Sequence, residues 1–254
     1  MAITIKSSRE INIMRRSGAI LGEVHELLAN AVRPGISTDD LDQLAHDLIT
    51  ERGAKPSFLG HEGFPKSICT SVDSEVVHGI PNQERLLPGQ IVSVDVGVFL
   101  EGYHTDGAFT LPVGEIDDDV RALIRVTREA LEVGCERAVA GNRVGDISAA
   151  IQSHAESHGY GIVRELTGHG VGRQLWEDPQ IPNYGDAGTG PLLRPGMTIA
   201  IEPMLTLGDP ETFVYPDGWT IATVDGSYAA HWEHTLLITK GDPEILTRSR
   251  VNVV

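Results

Sequence analysis

IVSVDVGVFLEGYHTDGAFTL, residues 91–111, is the stretch from which the fold is read. Val92, Val94, Val96 and Val98 alternate with Ser93, Asp95, Gly97 and Phe99, the two-residue period of a strand with one strongly apolar face. Asp95 falls on the other face. Glu101-Gly102 suits a two-residue turn, and the β-branched and aromatic residues beyond it suit a return strand. With 101 and 102 as the loop, 100 opposes 103, Gly97 opposes Asp106 and Asp95 opposes Ala108. Asp95 and Asp106 then project from one face as diagonal neighbours, about 7–8 Å apart along the backbone. Gly97 is read as leaving open space opposite Asp106. Two carboxylates aimed at one point repel unless a cation or a shared proton separates them, so the pair is a candidate metal site, set against the plainer reading of two solvated Asp residues near a loop.

The 254 residues, 41% hydrophobic, are enough for one full core or two intimately packed halves. A net charge of −16 removes the basic footprint expected of a nucleic-acid or anionic-membrane partner. Cys69 and Cys135 form no disulfide framework and no C-x-x-C pair, which fits a reducing compartment. MAITIKSSREINIMRR has no apolar stretch behind its charges, and no run of about 18 apolar residues occurs anywhere, so a cytoplasmic location is expected.

Ser7 to about Ala31 has helical spacing at Ile11, Met14, Ile20, Val24, Leu27 and Leu28, and Pro34-Gly35 ends it. A second helix is expected from Ser37 or Thr38 to Arg52, closed by Gly53, and a third from Asp117-Asp118-Asp119, whose charges complement the helix dipole. The order then repeats. AGNRVGDISAAIQSHAESHGY matches PGISTDDLDQLAHDLITERGA at a constant offset of 106, aligning Gly35 with Gly141, Asp40 with Asp146 and Gly53 with Gly159. LLPGQIVSVD matches LRPGMTIAIE at an offset of 107, which lays Asp95 on Glu202. An internal duplication follows, with halves of roughly 1–115 and 116–254 forming a single domain around a pseudo-twofold.

Glu202 alternates with Ile199 and Ile201 on a strand with an apolar opposite face, and Pro203 limits pairing beyond it. Asp225-Gly226 reads as a second hairpin turn, with Glu233 on its return strand facing away from Trp232, Leu236 and Ile238. His169 in GHGVG and His78 in VVHGIP sit beside glycines that let the backbone approach a site, although a histidine in that setting is more often structural. GHGVG lacks the full dinucleotide-binding pattern, and neither HEG at 61 nor HWEH at 231 has the zinc-protease spacing.

VDVG with HTDGAFT, then TGHGVG, IAIEPM and HWEHT, in this order and at these distances, resemble the type I methionine aminopeptidases from the first helix to about Thr247. The resemblance implies an α/β pita-bread fold of two pseudo-symmetric halves around a central antiparallel sheet. It implies that Asp95, Asp106, His169, Glu202 and Glu233 hold two divalent ions, with Mn, Fe(II), Co or Zn suited to such ligands. It implies removal of the initiator methionine from nascent proteins, near the ribosome, by metal-activated water, in a monomeric enzyme that prefers a small second residue. His78 matches a histidine that contacts substrate. Phe64, Cys69 and Trp219 match positions of the methionine pocket, while His61 stands where tyrosine is common and Leu175 where an aromatic is common.

Three residues depart from the pattern. Trp176 takes the place of a second histidine, next to the residue after methionine. Thr105 and Gly107 reverse the usual order of glycine before and hydroxyl after Asp106, read as moving a supporting hydroxyl to the other face of the strand. Two rival readings follow: a prolidase-like Xaa-Pro peptidase of the same fold, and a pita-bread binding module with weak or no activity.

Overall fold

Ser7 starts the first helix by a reciprocal cap, in which its hydroxyl accepts the Glu10 N–H and the Glu10 carboxylate accepts the Ser7 N–H at 2.7 Å. A computed structural model of the chain describes residues 3–251 and runs this helix, α1, over Ser8–Ala31. Met14, Leu21, Val24 and Leu28 form its fully buried stripe. α2 (Thr38–Glu51) repeats the cap with Ser37 and Asp40. Short strands β1 (Lys55–Pro56), β2 (Ile68–Val72) and β3 (Glu75–Val77) lead to the long hairpin of β4 (Ile91–Leu100) and β5 (Tyr103–Pro112).

The hairpin has the expected register, with Leu100 opposite Tyr103, Gly97 opposite Asp106 and Asp95 opposite Ala108. Glu101 and Gly102 both take left-handed backbone angles, φ 48° and 92°, the conformation that matches a two-residue turn to the twist of the strands. Val92, Val94, Val96 and Val98 are fully buried in the same core as the stripe of α1. Each contributes about 1.5–3 kcal/mol relative to an exposed side chain. One expectation fails here. The space at Gly97 is filled, because a Cβ there would lie 2.6 Å from Ser57 Cβ and 2.7 Å from the Phe58 ring.

α3 (Asp118–Arg137) and α4 (Val144–Ser157) open the second half, and α4 matches α2 in length, 14 residues each, at the same 106-residue offset. The strands that follow are β6 (Gly161–Ile162), β7 (Thr167–Gly170), β8 (Glu177–Pro182), β9 (Thr198–Ile201), β10 (Met204–Thr206), β11 (Thr212–Val214), β12 (Ile221–Thr223), β13 (Ala229–His231), β14 (His234–Leu237) and β15 (Glu244–Ile245). They form three sheets, of order β15-β14-β9-β7-β8, β13-β10-β6 and β11-β12-β3, the last borrowing a strand from the first half.

Two details differ from the sequence reading. Asp225-Gly226 does turn the chain, with Gly226 at φ 72°, but β12 pairs with β11 and β3 whereas β13 pairs with β10. The first-half turn at Asp73-Ser74 separates the flanks, since Ser74 C=O accepts Thr223 N–H and Asp73 C=O accepts Ala229 N–H. Glu202 and Glu233 also lie off the regular strands. Ile201 pairs with His234 and Met204 with His231, so one antiparallel ladder is interrupted at Glu202-Pro203 and Trp232-Glu233, where Pro203 has no N–H to give.

The two halves meet along β5 and residues 231–235. Ala108 and Glu233 exchange backbone hydrogen bonds, and on either side a threonine replaces the backbone. Thr235 Oγ1 accepts Asp106 N–H at 2.9 Å and donates to Asp106 C=O at 2.8 Å; Thr110 Oγ1 does the same for His231, at 2.9 Å both ways. Among the described residues no helix is long and apolar enough to cross a membrane. Thr235→Val should orphan two buried backbone groups of Asp106 and cost about 1–3 kcal/mol in urea unfolding, with Thr235→Ser close to wild type. Equal stability of the Val variant would mean that the seam does not depend on this hydroxyl.

Candidate metal centre

The hairpin, the interrupted ladder and β7 bring five groups to one point. Asp106, His169 and Glu233 are buried and Asp95 and Glu202 nearly so, and all five line a single cavity. One ligand atom from each of Asp106, His169 and Glu233 lies within 4.8 Å of the others. His169 Nε2 is 3.5 Å from Glu202 Oε1 and 3.9 Å from Asp106 Oδ2. Its Nδ1 faces the Gly170 carbonyl at 2.8 Å, and since a carbonyl only accepts, the proton sits on Nδ1 and the Nε2 lone pair points into the cluster.

The glycines around His169 are required by packing. A Cβ on Gly168 would lie 2.4 Å from Ala200 O, and one on Gly170 2.2 Å from Asp178 O. Only bare backbone fits between β8 and β9 there. His78 is held at φ 60°, ahead of Gly79, whose Cβ would lie 2.2 Å from Thr70 O. Both glycine neighbours thus serve close approach of chains.

Removal from water raises every carboxyl in the cluster. Asp95 is pushed up to about 7 by burial, against a hydrogen bond with Asp106 that favours its ionised form. Burial, then the charges of Asp95 and Glu202, drive Asp106 well above its ordinary range; burial and the neighbouring acids do the same to Glu202 and Glu233. Burial lowers His169 to about 4, so its imidazole is neutral. Asp95 Oδ1 and Glu233 Oε1 are buried without a hydrogen-bond partner. Four carboxyls, two of them with an orphaned oxygen, and one neutral imidazole fit divalent cations, which would compensate the charge and satisfy those oxygens.

Beside the acids the cavity turns apolar. Phe64, Cys69, Leu175 and Phe58 form one small cluster with Trp219 against it, and Phe64 meets Trp219 edge to face at 5.2 Å. Burial, with the charge of Asp95 second, holds the Cys69 thiol protonated, so it acts as a small filler. His61 and Trp176 stand at the mouth, edge to face at 4.8 Å, with Trp176 41% exposed.

The sequence of residues 12–240 matches the model of metallopeptidase family M24. The chain belongs to metallopeptidase family M24. It is 50% identical to the methionine aminopeptidase of Clostridium acetobutylicum over 96% of this chain and 98% of that one, and 50% identical to methionine aminopeptidase 1 of Bacillus subtilis over 97% and 99%. The crystal structure of the methionine aminopeptidase of Thermotoga maritima superposes with a TM-score of 0.96 at 46% identity, covering 98% of this chain and all of that one. The prolidase of Pyrococcus furiosus superposes at 0.78 with 23% identity over 97% of this chain and 66% of that one, a likeness of fold alone. The fold is the pita-bread fold.

Every pocket and cluster residue singled out in the sequence lines the cavity: His61, Phe64, Cys69, His78, Leu175, Trp176 and Trp219 together with the four acids and His169. Two further residues were passed over. Phe58 lines the pocket because it packs over Gly97, and His231 places a buried, unpartnered Nε2 3.8 Å from Glu202 Oε2. His231 stands two residues before Glu233, a same-face spacing that could have flagged it. The reading of Thr105 needs correction. Thr105 and Gly107 are two apart and share the face away from Asp106, so the hydroxyl has moved along that face and has not crossed it. Thr105 Oγ1 donates to Ser17 Oγ at 2.9 Å, whose own proton goes to Val98 C=O, and a Cβ on Gly107 would crowd Leu21 and His25 of α1.

The carboxyl shifts have a sign in stability. Above about pH 7.5 the buried histidines are neutral in native and unfolded chains alike, whereas the native acids raised well above their ordinary range still hold protons that the unfolded chain has released. Stability of EDTA-treated protein should therefore fall between about pH 7.5 and pH 8.5, with metal reversing the slope and releasing protons. A melting temperature that rises over that interval without metal would show the acids ionising freely.

Proposed function

We propose that this chain is a methionine aminopeptidase that removes the initiator methionine from nascent proteins, with two divalent ions held by Asp95, Asp106, His169, Glu202 and Glu233. The observation that carries the reading is a cation-fitting cluster of four acids and an imidazole at the side of an apolar pocket, in a chain 50% identical to methionine aminopeptidases over nearly its whole length. Manganese, iron, cobalt and zinc all suit four carboxylates and an imidazole. When bound, such ions supply Lewis acidity and acidify water at neutral pH.

The chain's own residues do the rest. Phe58, Phe64, Cys69, Leu175 and Trp219 take the methionine side chain out of water, so the scissile bond is set by how deep that side chain reaches. His78, kept neutral by burial, offers a ring nitrogen to the peptide beside the bond. Trp176 and His61 close the mouth next to the second residue, favouring a small one. The same reading takes residues 1–254 as one catalytic domain with halves 1–115 and 116–254, of which 1–2 and 252–254 lie outside the described residues, and places a monomer in the cytoplasm, acting near the ribosome. The lower identity to prolidases sets that alternative behind, and retention of all five candidate ligands sets the inactive module behind.

Met-Ala, Met-Lys and Ala-Ala peptides with added manganese or cobalt should show methionine release from Met-Ala above the others. No release under any metal would overturn the assignment. Asp95→Ala and Glu202→Ala should each abolish turnover, and wild-type rates in either would move the site elsewhere. Trp176 offers one N–H donor and no acceptor, where an imidazole both donates and accepts. If the position steadies charge on the reacting carbonyl, its group is worth on the order of 100- to 1000-fold in kcat. Trp176→His should then raise kcat more than it changes KM. An unchanged or lower kcat would mean that the indole already fills the role or that the position is not catalytic.

A further inference from the structure

We propose that Glu129, His154 and His158 form a second divalent transition-metal site, separate from the acid cluster, that ties α3 to α4. His154 and His158 are four residues apart, and His158, although it caps α4, keeps near-helical angles of φ −99° and ψ 0°. Their rings therefore leave the same side of the helix, with centroids 4.6 Å apart. Glu129 approaches from α3 and sets its Oε2 3.3 Å from His154 Nε2. One ligand atom from each of the three lies within 4.8 Å of the others, and none of the three lines the cavity of the acid cluster.

The nitrogens are prepared for a metal. His158 Nδ1 faces the His154 carbonyl at 2.9 Å, so Nδ1 carries the proton and Nε2 keeps its lone pair, the device that also fixes His169 on Gly170. His154 Nε2 is buried and lacks a well-formed hydrogen bond despite the nearby carboxylate. Arg125 donates to Glu129 Oε1 at 2.8 Å, which leaves Oε2 for the site while reducing the negative charge there. Two imidazoles and one carboxylate select zinc, nickel, copper or cobalt over magnesium or calcium. Bonds of about 2.0–2.2 Å require the three atoms to draw closer, a movement open to the exposed His158 side chain, and water completes the coordination.

Full-length protein, wild type and variant, would be dialysed against low-micromolar zinc with excess manganese present, and bound zinc counted per chain by mass spectrometry. Wild type should retain about one zinc more than His158→Ala or His154→Ala/His158→Ala, and only wild type should gain the part of the zinc-dependent rise in melting temperature that comes from linking two helices. Methionine release in saturating manganese should be equal in all three, since none of these residues touches the pocket. His158→Ala changes only an exposed side chain, so it decides the matter alone if the double variant folds poorly. Equal zinc content and equal thermal shifts in wild type and His158→Ala would reduce the cluster to a stacked histidine pair beside a glutamate and overturn the proposal.

Discussion

Four carboxyls share a site from which water is largely excluded, and their mutual repulsion is the constraint to which the rest of the structure answers. A carboxylate in such surroundings is costly unless it is protonated or faces a cation. Asp95 and Asp106 show one half of that choice, since burial pushes both carboxyls up toward the protonated form, Asp106 further so by the charge of Asp95. The orphaned oxygens of Asp95 and Glu233 show the other half, since no group among the described residues satisfies them. The backbone that carries these side chains is held by hydrogen bonds elsewhere in the fold.

That support comes from the seam between the halves. The Ala108–Glu233 backbone pair is flanked by Thr235 reaching Asp106 and Thr110 reaching His231 in the same two-bond manner. A local twofold through this pair relates Thr110 to Thr235 and Asp106 to His231. Each half thus fixes the backbone of a site residue of the other by a hydroxyl. The ladder is also interrupted at Glu202-Pro203 and Trp232-Glu233, so both of these acids sit where the regular pairing lapses.

The hairpin register, both helix caps and the 106-residue offset were legible because each depends on local pattern: alternation, a two-residue turn, Ser with an acid three places on. The departures were long-range. Nothing near Asp225-Gly226 announces that Asp73-Ser74 will come between its flanks, and nothing near Gly97 announces that Phe58 will fill its face. Period-2 alternation places Thr105 and Gly107 on one face of β5, as the structure has them. His231 was open to the same reasoning, from its spacing to Glu233.

The exchange of hydroxyl and glycine around Asp106 shows how such a departure is absorbed. Ser17, Leu21 and His25 follow one another at intervals of four and present one stripe of α1 to the back of β5. Ser17 takes the Thr105 hydroxyl, Leu21 and His25 occupy the space beside Gly107, and His25 Nε2 donates to the Gly107 carbonyl at 3.0 Å while its ring meets Phe109 edge-on. Burial holds His25 down to about 3, so it is a neutral donor and adds no charge behind the acids. A hydroxyl at 107 would need the volume that Leu21 and His25 now fill, whereas at 105 it meets Ser17. The room at 107 is bounded by Leu21 and His25 of α1 and by the Glu233 carbonyl across the seam, whereas Thr105 finds its partner in Ser17.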